Sequence, residues 1–185
     1  LAVAQLLLDR RADVNLARTN GATPLYIAAQ QGQLDVVKLL LDNRAEVNQA
    51  ETTYGATPLY FAAYKGHLDV AKLLIDSGAE VNKAKTNGVT PLYIAAQQGQ
   101  LDVAQLLIDR GAEVNQARTT DEVTPLWIAA QEGQFDVAKL LLDRGAEVNQ
   151  TNTYGETPLY IAAQQGHTTV TLLLKLAGAK RDAID

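Results

Sequence analysis

The stretch TPLYIAAQQG at residues 23–32 decides the fold of this chain, because it is written five times with little change. Identical or closely similar copies stand at 57–66 (TPLYFAAYKG), 90–99, 124–133 (TPLWIAAQEG) and 157–166. The threonines that open the copies are separated by 34, 33, 34 and 33 residues, and this alternation suggests that the duplicated block was a pair of repeats. A period of this length predicts a stack of similar supersecondary units.

Each unit predicts two helices joined by a tight turn. Thr23 is suited to cap the first helix, since its hydroxyl can accept a hydrogen bond from a free backbone donor of the first turn. Pro24 fits the first helical position, where its missing N–H costs nothing. Gly32 fits a left-handed residue at the helix end. A second, largely apolar helix is predicted over 33–43, with Asp35 placed favourably near its N-terminus.

A second phrase follows each second helix and keeps the same phase. It reads RADVN at 11–15, RAEVN at 44–48, and GAEVN at 78–82, 111–115 and 145–149. The glycine that opens the later copies is predicted to be left-handed. Where Arg11 and Arg44 replace that glycine, we expect a local strain of about 1 kcal/mol each.

The unit GATPLYIAAQQGQLDVVKLLLDNRAEVN, residues 21–48, resembles the ankyrin repeat, whose signature opens with Thr-Pro-Leu-His and closes with Gly-Ala-Asp-Val-Asn. The resemblance implies an all-α solenoid of stacked antiparallel helix pairs with projecting hairpin-like loops. A single copy cannot bury its apolar face, whereas stacked copies share one elongated core. We expect one domain over 1–185, with a partial N-terminal repeat at 1–20, internal repeats at 21–54, 55–87, 88–121 and 122–154, and a C-terminal repeat at 155–185.

Both ends depart from the pattern. The first fifteen residues match only the second helix of a unit and its exit, so we expect that an upstream stretch precedes them. Near the other end, Thr168, Thr169 and Thr171 enter the second helix, and Lys180-Arg181 replaces Val-Asn. A degenerate last repeat and a specialised polar cap both explain these letters.

Composition excludes several classes of function. The net charge of −5 opposes binding to a nucleic-acid backbone. No run of eighteen apolar residues is present, so no membrane insertion is expected. The absence of cysteine removes disulfides and thiolate chemistry and favours an intracellular over a secreted location. We expect a monomer.

Nothing in the sequence predicts catalysis. His67 and His167 occupy the same repeat position, where the resemblance implies a structural histidine, and they lie too many repeats apart to share a metal ion. The carboxylates that recur at one position serve as helix caps; these are Asp35, Asp69, Asp102 and Asp136. With no phosphate-binding loop and no nucleophile set, we expect a protein that is not an enzyme and has no cofactor.

Function is therefore sought where the copies disagree. The resemblance implies that a protein partner docks on the concave face, which is formed by the turn tips and the exposed ends of the first helices. The candidate binding residues on this face are Tyr54, Tyr64, Lys65, Gln97, Gln98, Trp127, Gln131, Glu132 and Tyr154. Tyrosine and tryptophan are enriched among interface hot spots, which favours the aromatic members of this set.

One aromatic position recurs in every copy. Where the ankyrin signature has histidine after Thr-Pro-Leu, this chain has Tyr26, Tyr60, Tyr93, Trp127 and Tyr160. We favour a structural ladder, in which each ring stacks on the next repeat, over five separate ligand anchors.

Three interpretations of the function remain open. The leading interpretation is a non-catalytic scaffold that binds a macromolecular partner. The alternative is a structural spacer or elastic segment of a longer multi-domain protein, for which a neutral and uniform surface is typical. A third possibility is the accessory region of an enzyme whose catalytic residues lie outside this segment.

Overall fold

The computed structural model describes residues 1–179, and this part of the chain is helical with no strand. Its eleven helices are α1 (Ala2–Asp9), α2 (Pro24–Gln30), α3 (Leu34–Asp42), α4 (Pro58–Lys65), α5 (Leu68–Asp76), α6 (Pro91–Gln97), α7 (Leu101–Asp109), α8 (Pro125–Gln131), α9 (Phe135–Asp143), α10 (Pro158–Gln164) and α11 (Thr168–Leu176). We call α2, α4, α6, α8 and α10 the inner helices and the others the outer helices. The predicted all-α solenoid, with a lone first helix followed by five helix pairs, is confirmed.

Every inner helix begins at the Thr-Pro pair, as predicted. The threonine is extended, with φ between −92° and −83° and ψ near 165°, and its hydroxyl accepts a hydrogen bond from the N–H three residues on. The donor–acceptor distance is 3.1 Å from Tyr26 to Thr23 and 3.0 Å from Tyr93 to Thr90. Because the side chain satisfies a backbone donor that the helix cannot, all five inner helices begin at the same letter of the repeat.

The core is continuous along the stack. Each inner helix packs on the inner helices of its neighbours and on its own outer helix. Consecutive alanines on α4, α6 and α8, such as Ala62 and Ala63, are fully buried, and small side chains let the helix axes approach closely. Leu59 and Leu92 are each 1% exposed at equivalent positions of successive repeats. The core therefore repeats as faithfully as the sequence does.

An asparagine at the end of each AEVN phrase ties one repeat to the next. Asn48 accepts a hydrogen bond from the Glu80 N–H at 2.9 Å and donates to the Gly78 carbonyl at 3.0 Å. Asn82 and Asn115 make the same pair of bonds one repeat further along each time. The side-chain amide thus bridges two repeats where the backbone would otherwise lack partners.

The left-handed residues stand where the sequence places them. Gly78 and Gly111 have φ of 94° and 89°, and Arg11 and Arg44 have φ of 62° and 67° at the equivalent positions. A third non-glycine residue, Glu122, has φ of 59° at a hairpin tip. The strain predicted for Arg11 and Arg44 therefore has its structural basis, and Glu122 adds a left-handed site in the fourth repeat.

Candidate functional site

Hairpin loops project between the repeats and form one edge of the candidate site. Short hairpins close over five residues, 18–22, 85–89 and 152–156, and long hairpins over six, 51–56 and 118–123. The long and short forms alternate along the chain, and this accounts for the alternating 34 and 33 spacing of the repeats. Neighbouring tips are joined by backbone hydrogen bonds, for example from Thr86 N–H to the Tyr54 carbonyl at 2.9 Å.

The recurring aromatic position is mostly buried. Tyr26, Tyr60, Tyr93 and Trp127 are at most 9% exposed, and Tyr160 is half-buried. Burial raises the pKa of both Tyr60 and Tyr93 to about 12, so their hydroxyls stay neutral at physiological pH. This burial supports a structural role for the position, and the rings of Tyr26 and Tyr60 each contact Phe61.

Trp127 differs from the expectation that it offers an exposed anchor. Only 6% of it is exposed, and its indole N–H donates to the Glu156 carbonyl at 3.0 Å. The ring lies between repeats because the position belongs to the ladder, and a buried indole N–H is satisfied by the next hairpin. Little of this side chain is left for a partner.

Four rings gather around α4, and we call Tyr26, Tyr60, Phe61 and Tyr64 the aromatic cluster. Phe61 lies at its centre, with ring centroids 4.9 Å from Tyr26, 5.3 Å from Tyr60 and 6.2 Å from Tyr64. The interplanar angles of 60° to 76° are the edge-to-face arrangements that aromatic pairs prefer. Phe61 and Tyr64 are only partly buried, so the cluster reaches the surface.

Two lysines lie over these rings. The Lys65 ammonium is 4.9 Å from the centroid of Tyr64. The Lys85 ammonium lies between two rings, 4.9 Å from Tyr60 and 5.3 Å from Tyr54, a hairpin-tip residue that is 62% exposed. Each contact is of the cation–π kind and holds a positive charge at a defined place beside apolar surface.

The long hairpin that carries Tyr54 is ordered by a buried carboxylate. Glu51 is 4% exposed and accepts hydrogen bonds from the N–H groups of Thr53 and Tyr54 at 2.7 Å and of Ala56 at 3.2 Å. Burial alone would raise the pKa of Glu51, but these backbone donors outweigh it and lower the pKa below its ordinary value. Glu51 is therefore ionised at neutral pH and holds the tip in one conformation.

The hairpin 118–123, between the third and fourth internal repeats, presents a different electrostatic arrangement. Arg118 lies over Tyr93, 5.4 Å from its centroid, and forms a two-pronged ion pair with Asp121, its Nε donating to Oδ1 at 2.8 Å. This hydrogen-bonded guanidinium lowers the pKa of Asp121. Glu122 and Glu132 are exposed nearby, and the charge of Glu132 reaches the Tyr93 hydroxyl.

The structure places the remaining candidate residues as follows. Tyr154, Gln98, Glu132 and Lys65 are exposed, and Tyr154 reaches 77%. Gln97 and Gln131 are half-buried. Their backbone carbonyls accept hydrogen bonds from the Gln134 amide at 3.3 Å and the His167 ring at 2.9 Å. Tyr64 and Lys65 come together with Tyr54 through the aromatic cluster and Lys85, whereas Tyr154 lies on a separate hairpin.

Sequence reasoning missed three residues of this site. Phe61 could have been found from the sequence, since it replaces the isoleucine of the other four copies. Lys85 carries another, because Arg18, Lys85 and Arg118 all open hairpins with a basic residue. Glu51 stands at the same opening position, but its burial depends on a hairpin path that the letters alone do not show.

Both histidines have structural roles. His67 Nε2 lies 3.3 Å from the Gln30 carbonyl, and His167 Nε2 makes the equivalent contact with the Gln131 carbonyl three repeats further on, at 2.9 Å. Among residues 1–179, no group of three His, Cys, Asp or Glu side chains is arranged to hold a metal ion. No helix in this part of the chain is long and apolar enough to cross a bilayer.

Comparison with known families agrees with this architecture. The family model described as ankyrin repeats (3 copies) matches residues 1–85, 50–118, 82–152 and 115–185, which together span the whole sequence. The chain belongs to the ankyrin-repeat family. No curated protein matches it.

Membership of the ankyrin-repeat family states the general role of the fold. Ankyrin repeats are protein–protein interaction modules and are typically not enzymes. In this ankyrin-repeat chain the family's histidine after Thr-Pro-Leu is replaced by the aromatic ladder. The surface that differs between repeats is therefore the place to look for what this member binds.

Proposed function

We propose that this ankyrin-repeat chain is a non-catalytic scaffold that holds a protein partner on its concave face. The supporting observation is the aromatic cluster, whose partly buried rings lie beside exposed Tyr54 and under two lysines. The contact is centred on Tyr54, Tyr64 and Lys65. Residues that complete the proposed surface on the later repeats are Gln97, Gln98, Gln131, Glu132 and Tyr154, with Trp127 acting from beneath it.

Energetics favours the aromatic end of this face. A glutamine that binds a partner exchanges hydrogen bonds with water for hydrogen bonds with protein, at a net gain of about 1 kcal/mol or less. A tyrosine ring displaces water from a large apolar area and loses few rotamers, so its truncation at an interface centre costs roughly 2 kcal/mol or more. We therefore expect the repeated Gln-Gln pairs of α2, α6 and α10 to contribute little to the binding free energy and the aromatic residues of α4 to contribute most of it.

A peptide-display selection tests this proposal. Random extended peptides are selected on the wild-type chain and counter-selected on a Phe61→Ala/Tyr64→Ala variant. We expect families of peptides that the variant no longer retains. A matched variant, Lys38→Ala/Lys72→Ala on the outer helices, should retain them.

The same selection separates the scaffold from the spacer. A spacer without a ligand face enriches no peptide family at all. If peptides are enriched but bind the Phe61→Ala/Tyr64→Ala variant as well as the wild type, a binding surface exists and lies elsewhere on the stack.

A further inference from the structure

The hairpin tips and the exposed C-terminal ends of the inner helices together form a surface that we call the inner-helix face. Its two halves carry unpaired charges of opposite sign. Lys65 and Lys85 contribute positive charge from the second internal repeat, and Glu122 and Glu132 contribute negative charge from the fourth. None of these four side chains forms an ion pair with another residue in the described range 1–179. Their charges are free to meet those of another molecule.

Neutral or self-neutralised groups separate the two halves. Gln97 and Gln98 close α6, between the end of α4 and the end of α8. Arg118 is cationic but is paired with Asp121, so this pair presents little net charge. Glu51 is ionised in the positive half, but it is buried and its oxygens accept backbone hydrogen bonds. The unpaired charges along the stack therefore run from positive through neutral to negative, although the chain as a whole carries a net charge of −5.

The positive half is pre-positioned. Lys85 is held between the rings of Tyr54 and Tyr60, and Lys65 is held over Tyr64. An aromatic ring attracts an ammonium without removing its charge, so both lysines can still pair with a carboxylate. Because their positions are already restricted, less conformational entropy is lost when a partner binds.

The negative half includes a carboxylate in a strained position. Glu122 has φ of 59°, whereas Gly21, Gly55, Gly88 and Gly155 occupy the same place in the other hairpins. A Cβ at Gly21 of a short hairpin would lie 2.8 Å from the Thr52 backbone nitrogen, but at Gly55 of a long hairpin the nearest atom is 3.3 Å away. The position in the long hairpin is thus less crowded than Gly21, although 3.3 Å is still a tight contact, and left-handed strain of about 1 kcal/mol is added to it.

We propose that the occupant of this face is an extended polypeptide segment with acidic residues at one end and basic residues at the other. Its acidic end pairs with Lys65 and Lys85, its basic end pairs with Glu122 and Glu132, and its middle crosses α6. The two charged halves lie two repeats apart, roughly 20 Å at the usual helix-packing distance. Six extended residues span about this length. The inference rests on the proposed function and adds the charge pattern and direction of the partner.

Three matched synthetic peptides test it by fluorescence anisotropy at low salt. Each has two blocks of about three charged residues around a neutral spacer of about six residues. One peptide is bipolar, with a glutamate block and a lysine block; the others carry glutamate in both blocks or lysine in both. We expect the bipolar peptide to bind at least about threefold more tightly than either uniform peptide. High salt near 1 M should abolish the difference, since screening then acts within about 3 Å.

Net charge alone predicts a different order of affinity for the three peptides. A chain with a net charge of −5 attracts the all-lysine peptide most and the neutral bipolar peptide less. Tightest binding by the all-lysine peptide, or no binding by the bipolar one, would overturn the proposal.

Charge-reversal variants locate the contact. Lys65→Glu/Lys85→Glu should weaken the bipolar peptide at least about threefold and tighten the all-lysine peptide. Glu132→Lys should also weaken the bipolar peptide, and its position is exposed, so folding is not at risk. The matched control is Lys38→Glu/Lys72→Glu, which makes the same change in net charge on exposed positions of the outer helices. Equal effects of the two double variants would contradict the proposal.

Two further readouts separate this inference from its alternatives. If Tyr64→Ala still abolishes binding of display-selected peptides while the charge reversals change nothing, the scaffold function stands and the charge pattern fails. Light scattering reports self-association: a dimer that Lys65→Glu dissociates would mean that the occupant is a second copy of the chain, which overturns the proposal of a bipolar segment.

Discussion

Helices α4 and α6 share a backbone and a core but differ at the surface. Leu59 and Leu92 are each 1% exposed, and the alanines that follow them are fully buried in both helices. At the exposed end, α4 carries Tyr64 and Lys65 where α6 carries Gln97 and is followed by Gln98. Within one short helix, therefore, the residues that pack against neighbouring repeats are separate from the residues that face solvent and vary between repeats.

The largest expected effect tests whether α4 and α6 are equivalent in the core. Leu59→Ala and Leu92→Ala each remove a buried side chain, and each should lower the free energy of unfolding by about 3 kcal/mol. Urea denaturation followed by circular dichroism measures both. A difference of more than about 1.5 kcal/mol between them would show that the two helices are not equivalent in the core.

The next largest effect concerns how stability depends on pH in the two hairpins that follow α3 and α9. Glu51 and Asn152 stand at the same position and accept equivalent backbone hydrogen bonds, but only Glu51 titrates. Since the pKa of Glu51 is lower in the folded chain than its ordinary 4.5, its contribution is complete above about pH 4.5 and is lost as the pH falls through the folded-state pKa.

The variant Glu51→Gln tests whether this contribution to stability is lost in acid. The free energy of unfolding of the variant should be about 1 kcal/mol below wild type at pH 7. The gap should close as the pH falls below 4.5. Measuring the difference between the two chains cancels other carboxylates with lowered pKa, such as Asp121. A gap that is constant from pH 7 to pH 3, or that widens in acid, would contradict the assignment.

The smallest effects concern left-handed residues in the first and fourth repeats. Arg44→Gly should stabilise the chain by up to about 1 kcal/mol, because glycine adopts a positive φ without strain. Glu122→Gly should stabilise it by a similar amount. Gly111→Ala is the matched reverse change: a Cβ there meets nothing within 4 Å, so the loss of about 1 kcal/mol reports backbone strain alone. Thermal melts of the three variants measure these shifts, and destabilisation by Arg44→Gly would contradict the account.

The sequence predicts most of the fold because the fold depends on local rules that repeat. Thr23 and its four equivalents are recognisable as caps from the letters alone, and Arg44 is recognisable as left-handed because later copies have glycine. The recurring aromatic position is likewise recognisable as structural, and four of its five members are buried. The cap and the left-handed residue are each settled within one repeat and then copied.

The candidate site is less predictable because it depends on contacts between repeats. The Lys85 ammonium lies between the rings of Tyr54 and Tyr60, and these three residues come from two repeats. Trp127 is buried because the hairpin ending at Glu156 covers it. Phe61 is visible as a departure from isoleucine, but its central place in the aromatic cluster requires the stack.

The most direct test of the central claim compares one residue from each of the two helices. The affinity of a display-selected peptide is measured by titration calorimetry for the wild type, Tyr64→Ala and Gln97→Ala. We expect Tyr64→Ala to weaken binding by roughly 2 kcal/mol or more, because a ring at the centre of the contact is lost. For Gln97→Ala we expect a loss of less than about 1 kcal/mol. Equal affinities for the two variants would contradict the claim that binding is concentrated where α4 departs from the repeat.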